Sequence, residues 1–137
     1  MSRGSSNGNA GRVLIVEDDD DIRESLVEFL EEHGYRPVEA HHGRDALHKL
    51  SASAHRPRLI VLDLMMPVMD GWTFVEECHR RMCCTEVPIV VTSASHDLPK
   101  TAERLRSFGV RTCLAKPFDV DGLLALVERY APSAPAA

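Results

Sequence analysis

The chain has 137 residues, of which 44% are hydrophobic and 27% charged, and its formal net charge is −5. That length supports one domain with a real core and excludes two, while the acidic balance lacks the electrostatic footprint of a surface for nucleic acid or anionic membrane. No apolar run approaches the ~20 residues of a transmembrane helix, and residues 1–11, rich in Gly, Ser and Asn, contain no apolar stretch of the signal-peptide kind.

Residues 1–11 are expected to be a disordered tail. A strand near 12–17 contains Val13-Leu14-Ile15-Val16 and opens onto Glu17-Asp18. Ile22, Leu26, Phe29 and Leu30 recur at helical spacing and predict a helix near 20–33, with Gly34 placed for a left-handed cap. A strand near 36–40 and a helix near 43–53 follow. The apolar run Leu59-Ile60-Val61-Leu62 predicts a strand near 58–63 that closes on Asp63. After a helix near 70–83, Ile89-Val90-Val91 predicts a strand near 88–93 that runs into Thr92-Ser93-Ala94. A helix near 98–108 precedes Gly109, and a last strand near 110–115 ends at Lys116-Pro117. Val120, Leu123, Leu124, Val127 and Tyr130 mark the final helix, near 119–130, and the Ala/Pro tail over 131–137 cannot extend it past Pro132.

Short, continuous, β-branched strands alternating with helices predict a parallel sheet covered on both faces, wound by right-handed crossovers. In such sheets the chemistry lies at the carboxyl ends of the strands. Four of the strands would bring three carboxylates, a hydroxyl and an amine to that one edge. This set suits a divalent cation held beside an aspartate that receives a phosphoryl group.

Five segments carry a resemblance: Val-Leu-Ile-Val-Glu-Asp-Asp-Asp-Asp-Ile-Arg (13–23), His-Gly-Arg-Asp-Ala-Leu (42–47), Leu-Asp-Leu-Met-Met-Pro-Val-Met-Asp-Gly (62–71), Pro-Ile-Val-Val-Thr-Ser-Ala (88–94) and Ala-Lys-Pro-Phe (115–118). In this order and spacing, from about Arg12 to Tyr130, they resemble the receiver domain of two-component response regulators. The resemblance implies a flavodoxin-like, doubly wound (βα)5 fold with strand order 2-1-3-4-5. It implies that Asp63 accepts a phosphoryl group from a phosphohistidine of a sensor histidine kinase or phosphotransfer protein. Mg²⁺ would be held by Asp18, Asp63 and the Met65 backbone carbonyl, with Glu17 acting through a water. Lys116 would pair with Asp63 at rest and meet the phosphoryl oxygens. Ser93, thirty residues beyond Asp63 and followed by Ala94, would supply the hydroxyl in preference to Thr92, and Pro117 is a candidate cis peptide. Asp19, Asp20 and Asp21 are read as acids complementing a helix N-terminus and are left out of the site.

The expected function is a phosphorylation switch acting through an altered protein–protein contact, in a stand-alone, cytoplasmic, monomeric or weakly dimeric protein that binds no nucleic acid. The same features fit a receiver that is part of a hybrid kinase or a longer regulator. An aspartate-nucleophile phosphohydrolase is the enzymatic rival, but such enzymes carry a second Asp two residues after the nucleophile, where this chain has Met65. His41-His42 has no third ligand in view for a metal. The four cysteines show no Cys-x-x-Cys spacing and are expected to be reduced thiols. One departure from the resembled pattern is Cys113, where receivers place a Tyr or Phe that rotates inward on activation. The loop over 94–98 and the start of the fourth helix are therefore expected to carry the change.

Overall fold

Three apolar runs are buried along their whole length or nearly so, and they form the centre of a five-stranded parallel sheet. In the computed structural model, whose described residues are 11–52, 56–65, 68–82, 87–94, 103–116 and 118–131, β1 is Arg12–Val16, β2 Arg36–Ala40, β3 Leu59–Asp63, β4 Ile89–Ser93 and β5 Val110–Ala115. The strand order is β2-β1-β3-β4-β5, as the resemblance implies. β3 and β4 are buried at every residue, while β2 and β5 are partly exposed. The edges explain the polar residues there: Arg36 is exposed and Glu39 only partly buried on β2, and Pro37 is tolerated because an edge strand leaves one row of N–H groups unused.

The helices are α1 (Asp20–Glu32), α2 (Gly43–Ala52), α3 (Gly71–Arg81), a segment α4 of which residues 103–106 are described, and α5 (Val120–Tyr130). Where described, their ends agree with the sequence expectation to within two residues; positions 98–102 of the expected fourth helix lie outside the described residues. Alternate side chains of each strand divide the interior into two cores. Leu14, Val16, Ile60, Leu62, Ile89 and Val91 pack with α2, α3 and Leu105. Val13, Ile15, Leu59, Val61 and Val90 pack with α1 and α5. Gly34 and Gly109 adopt positive φ, as expected after helices. Among the described residues no helix is long and apolar enough to cross a membrane.

Two expectations are corrected. The buried face of α1 is Arg23, Leu26 and Leu30, with Ile22 left exposed. The helical period does not choose between neighbouring rows, and Arg23 displaces Ile22 because its guanidinium finds acceptors on the end of β1, on β2 and in the first turn of α1. Cys78, buried in α3, is disulfide-bonded rather than reduced, while Cys113 is free. A spacing rule built on Cys-x-x-Cys does not see a bridge of this kind.

Among the described glycines, Gly71 in the turn from β3 into α3 makes the tightest approach. A Cβ on Gly71 would lie 2.7 Å from the Leu64 Cα and 2.9 Å from the Asp63 carbonyl oxygen, and the Gly71 N–H donates to the Leu64 carbonyl at 2.9 Å. In the same loop Val68 has φ 67°, a left-handed conformation unfavourable for a β-branched residue by about 1–3 kcal/mol. Gly71→Ala is accordingly expected to destabilise the protein by about 1–3 kcal/mol, because backbone must move to admit the methyl group. Val68→Gly is expected to stabilise it, the relief of strain exceeding the added chain entropy of about 0.5–1 kcal/mol. Urea unfolding of both variants against the parent checks the two signs.

Candidate functional site

The site gathers at the carboxyl ends of β1, β3, β4 and β5. Asp63 is the last residue of β3, on the row that Leu59 and Val61 direct toward α1 and α5, and it is 4% exposed. Its Oδ1 accepts the Met65 N–H at 3.1 Å, and its Oδ2 lies 3.4 Å from the Lys116 Nζ. Glu17, the first residue past β1, is also buried, and its Oε1 lies 3.0 Å from the same ammonium. The Glu17 Oε2 accepts the Asp19 N–H at 3.2 Å, and the Glu17 N–H donates to the Ala40 carbonyl at 3.1 Å. Asp18 is exposed beside it, and one oxygen from each of Glu17, Asp18 and Asp63 falls within 4.8 Å of the others. Lys116 reaches this group because its N–H continues the β4–β5 ladder to the Ser93 carbonyl at 2.8 Å.

One ammonium is thus paired with two of three clustered carboxylates. Burial, then the charge of Glu17, pushes the Asp63 carboxyl up from 3.8 to about 7, against the opposing pull of Lys116 and the Met65 N–H. Burial works against the Lys116 ammonium too, but hydrogen bonding to Glu17 and the charges of Asp63 and Glu17 outweigh it and hold its pKa above the ordinary value. The lysine stays charged and still leaves the cluster with excess negative charge. Hard oxygen donors at this spacing match what Mg²⁺ takes, a small number of carboxylates supplemented by water. The residues present therefore fit a divalent cation of that class.

The structure brings together Glu17, Asp18, Asp63 and Lys116, with Met65 beside Asp63 through its N–H. Lys116 lies nearer to Glu17 than to Asp63, a pairing that sequence reasoning missed, since charge pairing across four strands leaves no local spacing signal. Of the two hydroxyl residues, both buried, Thr92 is in register with Asp63, and Ser93 lies one step farther along β4. Asp19 caps α1, accepting the Ile22 N–H at 3.0 Å, in keeping with its exclusion from the site. His42 and Asp45 similarly form a local turn at the start of α2, the Asp45 N–H donating to the His42 Nδ1 at 3.2 Å and the His41 N–H to the Asp45 Oδ2 at 3.1 Å. Cys113 is half-buried against the α2–α3 core, and burial pushes its thiol pKa up, away from reactivity. Pro117 and the loop over 95–98 lie outside the described residues.

A parallel sheet in the order 2-1-3-4-5 with an acid triad and a lysine at its carboxyl edge defines the receiver class, and comparison with known proteins agrees. The model of the response regulator receiver domain family matches residues 13–128, and the chain belongs to that family. Among curated relatives, the transcriptional regulatory protein PdtaR of Mycobacterium tuberculosis is 38% identical over 120 residues, 85% of this chain and 55% of PdtaR. The regulatory protein AtoC of Escherichia coli is 35% identical over 118 residues, 86% of this chain and 24% of AtoC. The chain therefore spans about half, or less, of the length of these relatives. Among solved structures, the chemotaxis protein CheY4 of Vibrio cholerae matches with a TM-score of 0.78 at 29% identity, covering 88% of this chain and 98% of CheY4. The response regulator TrrA of Thermotoga maritima, solved in complex with Mg²⁺–BeF, matches at 0.72 and 28% identity, covering 87% and 97% of the two chains.

The raised Asp63 pKa makes stability depend on pH. Between 3.8 and about 7 the folded chain retains a proton that the unfolded chain has released, so this group's contribution falls as pH rises through that window. Asp63→Asn cannot ionise. Its stability relative to the parent in Mg²⁺-free buffer is expected to be larger at about pH 8 than at about pH 4. Thermal unfolding of both proteins at the two pH values checks this, and an equal difference at each would contradict it.

Proposed function

We propose that this receiver is a switch that takes a phosphoryl group from the phosphohistidine of a sensor histidine kinase or phosphotransfer protein onto Asp63. The observation that carries the reading is the convergence of the Asp63, Glu17 and Asp18 carboxylates within 4.8 Å, with the Lys116 ammonium 3.4 Å from Asp63. We assign the new bond to Oδ2, since Oδ1 is held by the Met65 N–H and Oδ2 faces the ammonium. The Oδ2–P bond forms as the P–N bond to the donor imidazole breaks; the ring nitrogen keeps the electron pair and takes up a proton. Phosphoryl transfer asks mainly for alignment and charge neutralisation, and Lys116, fixed by Glu17, meets the incoming oxygens.

Glu17, Asp18, Asp63 and the Met65 carbonyl would hold Mg²⁺, whose charge offsets that of the phosphoryl oxygens. Ser93 is the hydroxyl we assign to the phosphoryl group. Thr92 lies beside Asp63 in register, but Ser93, one step (about 3.3 Å) farther along β4 and followed by Ala94, keeps the place that the receiver family gives its hydroxyl. The output is a changed surface recognised by another protein, and the domain is regulatory, catalysing only its own phosphotransfer and dephosphorylation.

Incubation with Mg²⁺ and acetyl phosphate is expected to add one phosphoryl group by intact mass. Asp63→Asn abolishes it, and undiminished labelling of that variant would overturn the assignment. Ser93→Ala is expected to retain labelling but lose most of the phosphate-dependent amide NMR shifts in the β4–α4 region, whereas Thr92→Val retains both. Millimolar Mg²⁺ is expected to raise the melting temperature, by the equivalent of about 2.7 kcal/mol at a hundred times its Kd. Asp18→Asn reduces that rise; an equal rise in the variant would place the cation elsewhere.

A further inference from the structure

Among the described residues Arg23 is the one buried cation, at 4% exposure. Its Nε donates to the Glu39 Oε1 at 3.0 Å, one terminal nitrogen to the Asp20 Oδ1 at 2.5 Å, and the other to the Glu17 backbone carbonyl at 2.9 Å. The guanidinium thus joins the end of β1, the first turn of α1 and the edge strand β2. Packing alone does not account for it. Arg23 lies on the same face of α1 as Leu26 and Leu30, where a leucine would fill the row without desolvating a charge. An arginine fork carries its donors on three nitrogens spread across a rigid plane and so reaches three separated acceptors, where the three donors of a lysine ammonium diverge from a single atom.

The Glu17 carbonyl belongs to the peptide that leads into Asp18. That peptide is preceded by the Glu17 N–H, fixed on the Ala40 carbonyl, and its oxygen is fixed on Arg23. Together these bonds set the plane from which Asp18 departs, and with it the direction of a carboxylate that sits on an exposed residue. We propose that Arg23 is a positioning residue for the cation site: by holding the Glu17–Asp18 peptide, it keeps the Asp18 carboxylate within reach of Glu17 and Asp63. Without it the buried carbonyl loses its partner, the turn relaxes, and three oxygens no longer converge. This inference rests on the cation-binding role proposed above.

The test is an amide NMR titration with MgCl2 on the unphosphorylated protein, which reads the Kd of folded molecules only. Arg23→Lys and Arg23→Leu are both expected to weaken Mg²⁺ binding by about tenfold, the scale of one hydrogen bond to a charged group. Val127→Ala, which truncates the same core from α5, lowers the melting temperature and leaves the Kd unchanged. If Arg23→Leu does not fold, Arg23→Lys decides. An unchanged Kd in folded Arg23→Lys, however far its melting temperature falls, overturns the positioning role alone. A parent protein that does not respond to MgCl2 overturns the cation reading and this inference with it.

Discussion

One ammonium shared between two buried carboxylates is the interaction on which the site depends. Lys116 holds Glu17 at 3.0 Å and Asp63 at 3.4 Å, and no arrangement of the three acids with a single lysine is electrostatically complete. Burial first, and then the charge of Glu17, raises the Asp63 carboxyl to about 7. Under the proposed function a cation and a phosphoryl group would be complementary remedies: one would supply positive charge to the acids, and the other would give the lysine a more highly charged partner than a carboxylate.

That incomplete pairing is tolerated because the sheet holds the residues where they are. Glu17 and Lys116 are 99 residues apart in sequence, and closing such a loop for one ion pair would cost far more than the pair returns. The closure is instead made by ladder pairing of β1 with β3, β3 with β4 and β4 with β5, backed by two apolar cores. The site adds little to the stability of that framework. Its residues are free to be chosen for charge and reach.

Much of this is visible in the order of residues. Val13 to Val16, Leu59 to Leu62 and Ile89 to Val91 are continuous apolar runs that end on polar residues, and the sheet edge they predict is the edge observed. Glu17 and Asp63 directly follow such runs, Asp18 comes one residue later and Lys116 follows the last strand, and the structure brings these four together. Arg23 was not legible in this way. Its neighbours satisfy a helical period equally well with Ile22 inside, and only the acceptors contributed by β1 and β2 reverse the choice. The Lys116–Glu17 pairing was hidden for a related reason: both residues were recognised, but which carboxylate stands nearer is fixed by strand stagger, not by spacing.

Cys113 shows how the position of a residue and its chemistry separate. The thiol occupies a place on β5 that packs against the α2–α3 core, so its side chain already faces inward and is too small to exchange between two volumes. The neighbouring contacts are larger. The Arg104 guanidinium lies 4.4 Å from the Trp72 ring centre, and His79 meets the Phe108 ring edge-on at 5.4 Å. These two contacts tie α3, whose first residue packs on the Asp63–Leu64 backbone, to the segment that leads from α4 into β5. Coupling between sites requires a packed element with two arrangements that one site biases. Among the described residues, the bulk that joins α3 to that segment lies in those two contacts, and Cys113 contributes little of it.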